Sequence, residues 1–182
     1  MDLRVLAVAM MLIAALPLEV KSQRISVPEP EFPEETLLLV SDSEGVKLTR
    51  ENGSIKTKNF AINPKIYLSL DGPTSKSRVK GGSVTRLIIR ASNNDTDPTM
   101  IIGIFRFDVK RNSRQYKLMR VSGWTGNEEF NNLATVYYDS WKYGESSYYL
   151  LLHDLEPGEY GIVIGDPYAE RTALKITTFS VE

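Results

Sequence analysis

From Thr99 to Val109 the chain reads TMIIGIFRFDV, and this stretch decides the fold class. Successive side chains of an extended strand point to opposite faces, so Phe105, Phe107 and Val109 share one side while Ile104, Arg106 and Asp108 share the other. The same two-residue period sets Leu87 and Ile89 against Arg86 and Arg90, and aligns Tyr160, Ile162 and Ile164. Tyr148 to Leu152 leave neither face polar, which predicts a central strand. In the last segment Leu174 and Ile176 keep one parity and Phe179 and Val181 the other, which predicts a β-bulge near Thr177 and Thr178.

Working outward, runs rich in Val, Ile, Tyr, Phe and Thr recur between Gly, Pro, Asn and Asp clusters, and no window of a dozen residues carries helical periodicity. The pattern predicts strands over 36–41, 45–50, 53–58, 65–70, 84–91, 99–109, 115–122, 133–139, 147–153, 159–165 and 174–181. So many short strands without crossover helices point to an all-β, antiparallel β-sandwich, with a closed β-barrel as the alternative. Residues 36–182 form one domain on this reading.

Ahead of the domain, an uncharged run from Val5 to Leu18 follows Arg4. It is shorter than the roughly 20 apolar residues that span a bilayer. Residues 1–22 therefore read as a signal peptide, cleaved after Ser22, with no stable membrane span left behind and a periplasmic or extracellular destination. Residues 23–35 contain VPEPEFPEE, from Val27 to Glu35, whose prolines and glutamates predict an extended, solvated tether.

Composition removes several function classes. There is no cysteine and a single histidine, which excludes disulfides, a thiol nucleophile and thiolate or two-histidine metal sites within the chain. Lysine and arginine number 22 against 23 aspartates and glutamates. That balance lacks the positive excess by which proteins displace counterions from phosphates, and it argues against a nucleic-acid partner. No G-x-S-x-G, S-x-x-K, H-E-x-x-H or Walker glycine loop is present, and no cofactor is expected. Asn93-Asn94-Asp95-Thr96-Asp97 places oxygens at alternate positions like a calcium loop, but Pro98 and Ile104 stand where an EF-hand needs Gly and Glu, so no metal site is expected.

Leu155-Glu156-Pro157-Gly158-Glu159-Tyr160 resembles the L-x-P-G-x-Y corner of immunoglobulin-like and prealbumin-like β-sandwich modules. Pro157 presets a turn, Gly158 admits a positive φ, and Tyr160 is placed to bury its ring and return its hydroxyl to backbone. A wider pattern resembles uncharacterised secreted proteins of the Bacteroidetes: Ser75-Lys76-Ser77-Arg78, Asp97-Pro98, the Ile101 to Phe107 strand, Lys110 to Arg114, Ser147-Tyr148 and the same corner. That resemblance implies export and a β-rich domain, and no activity.

The candidate site residues are of two kinds. Trp124, Trp141 and Tyr143 fall in predicted loops, where flat rings stack on sugars or anchor a protein. Lys110, Arg111, Arg114, Lys117 and Arg120 form a basic cluster around a turn, joined by Arg86, Arg90 and Arg106 if their strands pair. His153 beside Asp154 is poorly placed as a base and its orienting carboxylate, because neighbours on a strand face opposite ways. The sequence thus predicts a non-enzymatic binding module for a protein or glycan partner. A structural subunit, and a glycan-active enzyme with paired carboxylates from distant strands, are the alternatives.

Overall fold

The computed structural model describes residues 25–58, 63–122, 125–131, 133–165 and 174–182. In chain order the elements are β1 (Thr36–Leu39), β2 (Gly45–Lys47), β3 (Thr49–Lys58), β4 (Lys65–Asp71), β5 (Arg78–Val79), β6 (Val84–Arg90), the one-turn helix α1 (Pro98–Ile101), β7 (Ile102–Arg106), β8 (Asp108–Lys110), β9 (Ser113–Val121), β10 (Glu128–Phe130), β11 (Tyr138–Tyr143), β12 (Ser147–His153), β13 (Gly158–Ile164) and β14 (Leu174–Val181). A five-stranded sheet has the order β11-β12-β6-β1-β2, and a larger one runs β10-β9-β4-β3-β14-β13-β7, with β5 beside β14 and β8 beside β9. Among the described residues every pairing is antiparallel except that of β5 with β14. The two sheets stack as a sandwich and are not closed into a barrel. Among the described residues no helix is long and apolar enough to cross a membrane.

The alternation read from the sequence builds the main core. Leu87, Ile89, Tyr148, Leu150 and Leu152 from the smaller sheet meet Ile102, Ile104, Tyr160, Ile162, Phe179 and Val181 from the larger one. Each such side chain contributes about 1.5–3 kcal/mol when fully buried. The larger sheet buries its opposite face as well, where Leu68, Leu70, Phe105, Phe107, Tyr116, Leu118, Val163, Leu174 and Ile176 form a second core. Gly161 sits on that face, and a Cβ there would stand 2.7 Å from the Phe105 ring, so only glycine lets the phenylalanines close over β13.

This two-sided burial corrects the predicted bulge at Thr177 and Thr178. Both ladders of β14 run through those residues in unbroken register. The apolar parity changes because the strand gives Leu174 and Ile176 to the second core and Phe179 and Val181 to the main one. The register shift that does occur lies between β4 and β9, at Ile66 and Tyr67.

The predicted strand 99–109 is divided. Asp97 caps α1, accepting from the Thr99 N–H at 2.9 Å, and Pro98 fills the first helical position, where its missing N–H costs nothing. The chain breaks again at Phe107, whose N–H donates to Glu159 O at 2.8 Å, as it leaves the ladder with β13 for the one with β9. The predicted strand 133–139 is displaced to Tyr138–Tyr143. The preceding residues instead cover β7, with the N–H groups of Thr135 and Val136 donating to Ile104 O at 3.0 and 2.9 Å.

The predicted tether is docked along its described part, with Ser26, Pro28, Glu31, Phe32 and Pro33 left exposed. Residues 25–35 lie as a strap across the outer face of the five-stranded sheet. Val27, 3% exposed, packs with Leu39 and Ile88, flanked by Ile25, Leu37, Tyr143 and Tyr149. The strap's polar groups are engaged too. Ser26 N–H donates to Asp42 O at 2.7 Å, Arg90 Nη1 donates to Pro30 O at 2.6 Å, and the Glu29 carboxylate accepts from the N–H groups of Glu145 and Ser146 at 3.0 and 2.9 Å. Extended proline-rich backbone without self-pairing is well suited to such a role.

Candidate functional site

Strand register places Trp141 opposite Tyr149 and Asp139 opposite Leu151 on the outer face of the five-stranded sheet. Arg86, on β6, is opposite Leu151 and shares that face. The strap packs against Leu37, Leu39, Ile88, Tyr143 and Tyr149 of this face, and Asp139 and Trp141 stay exposed. Trp141 is 51% exposed, and its ring lies 5.8 Å from that of Tyr149, centroid to centroid, at an interplanar angle of 33°. Trp141 and Tyr143 thus belong to an edge strand, not to the predicted loops. The DSWKY stretch lacks alternation strong enough to mark a strand, and its pairing with the apolar β12 supplies the order.

Polar groups rim this aromatic shelf. His153 Nε2 lies 2.9 Å from Asp139 Oδ2, so the histidine's partner is a cross-strand neighbour and not the adjacent Asp154. Arg86 pairs with Asp42. Burial raises the Tyr149 hydroxyl pKa, with Arg86 only partly offsetting it, so this group is a protonated donor at neutral pH.

At the Asp139 end the shelf opens into a cleft of about 650 Å³ lined by Tyr137, Tyr138, His153, Arg106 and Glu156, among others. Tyr137 is 90% exposed at its mouth. Tyr138 donates to Pro98 O and Ile102 O at 3.1 and 2.9 Å, and burial, with Asp97 nearby, pushes its pKa up to about 12. Arg106 is held by Glu156 at 2.7 Å and by Pro157 O at 2.6 Å. The cleft wall is therefore fixed by hydrogen bonds before any ligand arrives.

The corner beneath it shows what the LEPGEY residues do. Tyr160 is 3% exposed and its hydroxyl donates to Glu156 O at 2.7 Å. Leu155 packs at the margin of the main core. The positive φ expected at Gly158 is at Asp154 instead, with φ 47°. Gly158 leaves room for the Arg106 guanidinium, whose Nε would stand 2.6 Å from a Cβ there.

The other predicted site residues are dispersed. Trp124 lies outside the described residues. Tyr143 serves the strap, its hydroxyl donating to Val27 O. Arg111 is exposed at the β8–β9 turn, and Lys117 is half-buried on β9. Arg114 is fully buried, which removes it from any surface cluster. Its Nη2 donates to Glu51 Oε2 at 2.6 Å and Nε to Gly72 O at 3.1 Å, while Nη1 stands 3.8 Å from Glu159 Oε2. Thr178 and Ser180 hydroxyls donate to the remaining oxygens of Glu51 and Glu159, each at 2.5 Å, and the Ser75 N–H donates to Glu159 Oε2 at 2.7 Å. All four carboxylate oxygens are thus engaged within the protein.

The chain matches no protein-family model, and no curated protein matches it either. The functional reading therefore rests on geometry. Among the described residues no cluster of His, Asp and Glu has metal-binding geometry. Sequence reasoning missed Tyr149, Asp139 and Tyr137, and assigned Arg106 to a basic cluster instead of this cleft. The cross-strand register that brings them together leaves no local motif.

Proposed function

We propose that this protein is an exported, non-enzymatic recognition module that holds a glycan on the outer face of its five-stranded sheet. The observation that carries the reading is the half-exposed Trp141 ring beside Tyr149, rimmed by Asp139, His153 and Arg86. Aromatic faces offer the apolar side of a sugar a dispersion surface, and the surrounding carboxylate, imidazole and guanidinium groups supply hydrogen-bond partners for its hydroxyls. The shelf runs into the cleft, so a chain longer than one sugar has a continuous path. Export is the expectation of the leader at residues 1–22.

A catalytic reading draws no support from the buried carboxylates. Glu51 and Glu159 are saturated by internal donors, whereas glycoside hydrolysis needs two carboxyls facing the substrate about 5–9.5 Å apart. The alternative of a structural subunit draws no support from residues 25–35, which are docked on their own domain.

The test is a glycan array probed with the protein and with Trp141→Ala, each variant first checked for an unchanged melting temperature. Saturable binding lost in Trp141→Ala supports the proposal. Binding retained at full affinity, or capture of a protein ligand in place of any glycan, overturns it.

A further inference from the structure

The larger sheet carries a second surface with different chemistry. Strand register places Lys58 directly opposite Lys65, and Lys65 directly opposite Arg120. One step along, Lys56 faces Tyr67 and Tyr67 faces Lys117. Five cations therefore share one face of three adjacent strands, β3, β4 and β9. Strand spacing of about 4.8 Å puts the Lys58–Lys65–Arg120 row across roughly 10 Å.

Like charges directly opposite each other destabilise a sheet, and proteins that need only a solvated face alternate the signs. Here three cations stand side by side before the sign changes at Glu129, in register with Arg120. Among the described residues none of the five forms an ion pair. Lys58 Nζ lies 4.9 Å from the centroid of the Tyr67 ring and 2.7 Å from Gln115 Oε1. The reverse face of these strands supplies Ile66, Leu68, Tyr116 and Met119 to the second core, so the cations are anchored on a packed support.

We propose that this face binds a linear anionic polysaccharide through its carboxylate or sulfate groups. A flat array of point charges suits an extended chain carrying anions at regular intervals. A bilayer is the poorer fit, because no large aliphatic or phenylalanine side chain is described on this face to enter lipid. A single-stranded nucleic acid is also a poorer fit, because Tyr67, the one ring described on this face, is covered by Lys58. The surface lies on the other sheet from the Trp141 shelf and stands independently of the function proposed above.

Titration with dextran sulfate, polygalacturonate, neutral dextran, vesicles of phosphatidylserine and phosphatidylcholine, and an oligothymidylate tests the assignment. Saturable binding to dextran sulfate or polygalacturonate, weakened by salt and absent with neutral dextran, is expected, and the preferred arm names the anion. The triple variant Lys58→Gln, Lys65→Gln, Arg120→Gln should bind that polymer roughly tenfold or more weakly at an unchanged or raised melting temperature. Arg111→Gln, at the distant turn, should bind like the parent. Equal binding by the triple variant, no binding to either polyanion, or tighter binding to vesicles or oligonucleotide would each overturn the proposal. Trp141→Ala leaves this binding intact, which separates its failure from failure of the shelf.

Discussion

Strand β9 carries two sets of cations that read alike in sequence and differ completely in the fold. At its start Arg114 is fully buried, with Glu51 and Glu159 around it. Further along, half-buried Lys117 and exposed Arg120 stand in register with Tyr67 and Lys65 respectively. One set is part of the interior, and the other forms no ion pair among the described residues. The same residue types thus serve cohesion where carboxylates converge and serve recognition where they do not. Burial and the identity of the opposite strand decide which.

The comparison is broken most sharply at Arg114. Arg114→Ala leaves two buried carboxylates without their cation and should cost about 3–5 kcal/mol in chemical denaturation. Arg114→Met together with Glu51→Gln and Glu159→Gln should recover much of that loss; a single Arg114→Ala within 1 kcal/mol of the parent would contradict the buried network. The strap gives the next effect. Val27→Ala removes two methyl groups from contact with Leu39 and Ile88, a loss of about 1.5 kcal/mol, and should speed amide exchange in residues 25–35. Unchanged exchange would mean that the strap is not held by this contact.

Acid tests the strap from its charges. Burial alone would raise the pKa of Glu29, but the N–H groups of Glu145 and Ser146 and the nearby Arg90 outweigh it and hold the carboxyl below its ordinary value near 4.5. Glu35 is likewise lowered against the effect of burial by Lys47, the Phe32 N–H and Arg50. Because both folded-state values lie below the unfolded ones, this stabilisation is present above the ordinary carboxylate range and is lost as pH falls through the folded values. Melting temperature should therefore drop below pH 4.5, and Glu29→Gln should flatten that drop. A variant with the parent's acid profile would refute the assignment. The smallest effect is expected on the exposed side of β9. Lys65→Gln relieves repulsion from both Lys58 and Arg120 and should raise stability by about 0.2–1 kcal/mol, whereas a loss would show that Lys65 has an unrecognised partner.

The sandwich was legible because alternation is a backbone property. The predicted spans 147–153 and 174–181 coincide with β12 and β14, since both strands are buried along their length. What escaped depends on pairing between distant segments. The strap has few apolar residues, and one, Val27, docks it, so its glutamates and prolines dominate the reading. Arg114 reads as surface because charge is mostly exposed, and the carboxylates that neutralise it are contributed by β3 and β13. The candidate shelf was half legible: Trp141 was named from its ring, while Tyr149 and the Asp139–His153 pair required the β11–β12 register.

The most direct test of the recognition reading uses the fact that the chain has two tryptophans. In a Trp124→Phe background the remaining indole fluorescence reports on Trp141 alone. Titration with a glycan bound by the parent should shift that emission saturably and protect it from acrylamide quenching. A glycan that binds saturably while Trp141 emission and quenching stay as in the free protein would place the binding site elsewhere and contradict the account.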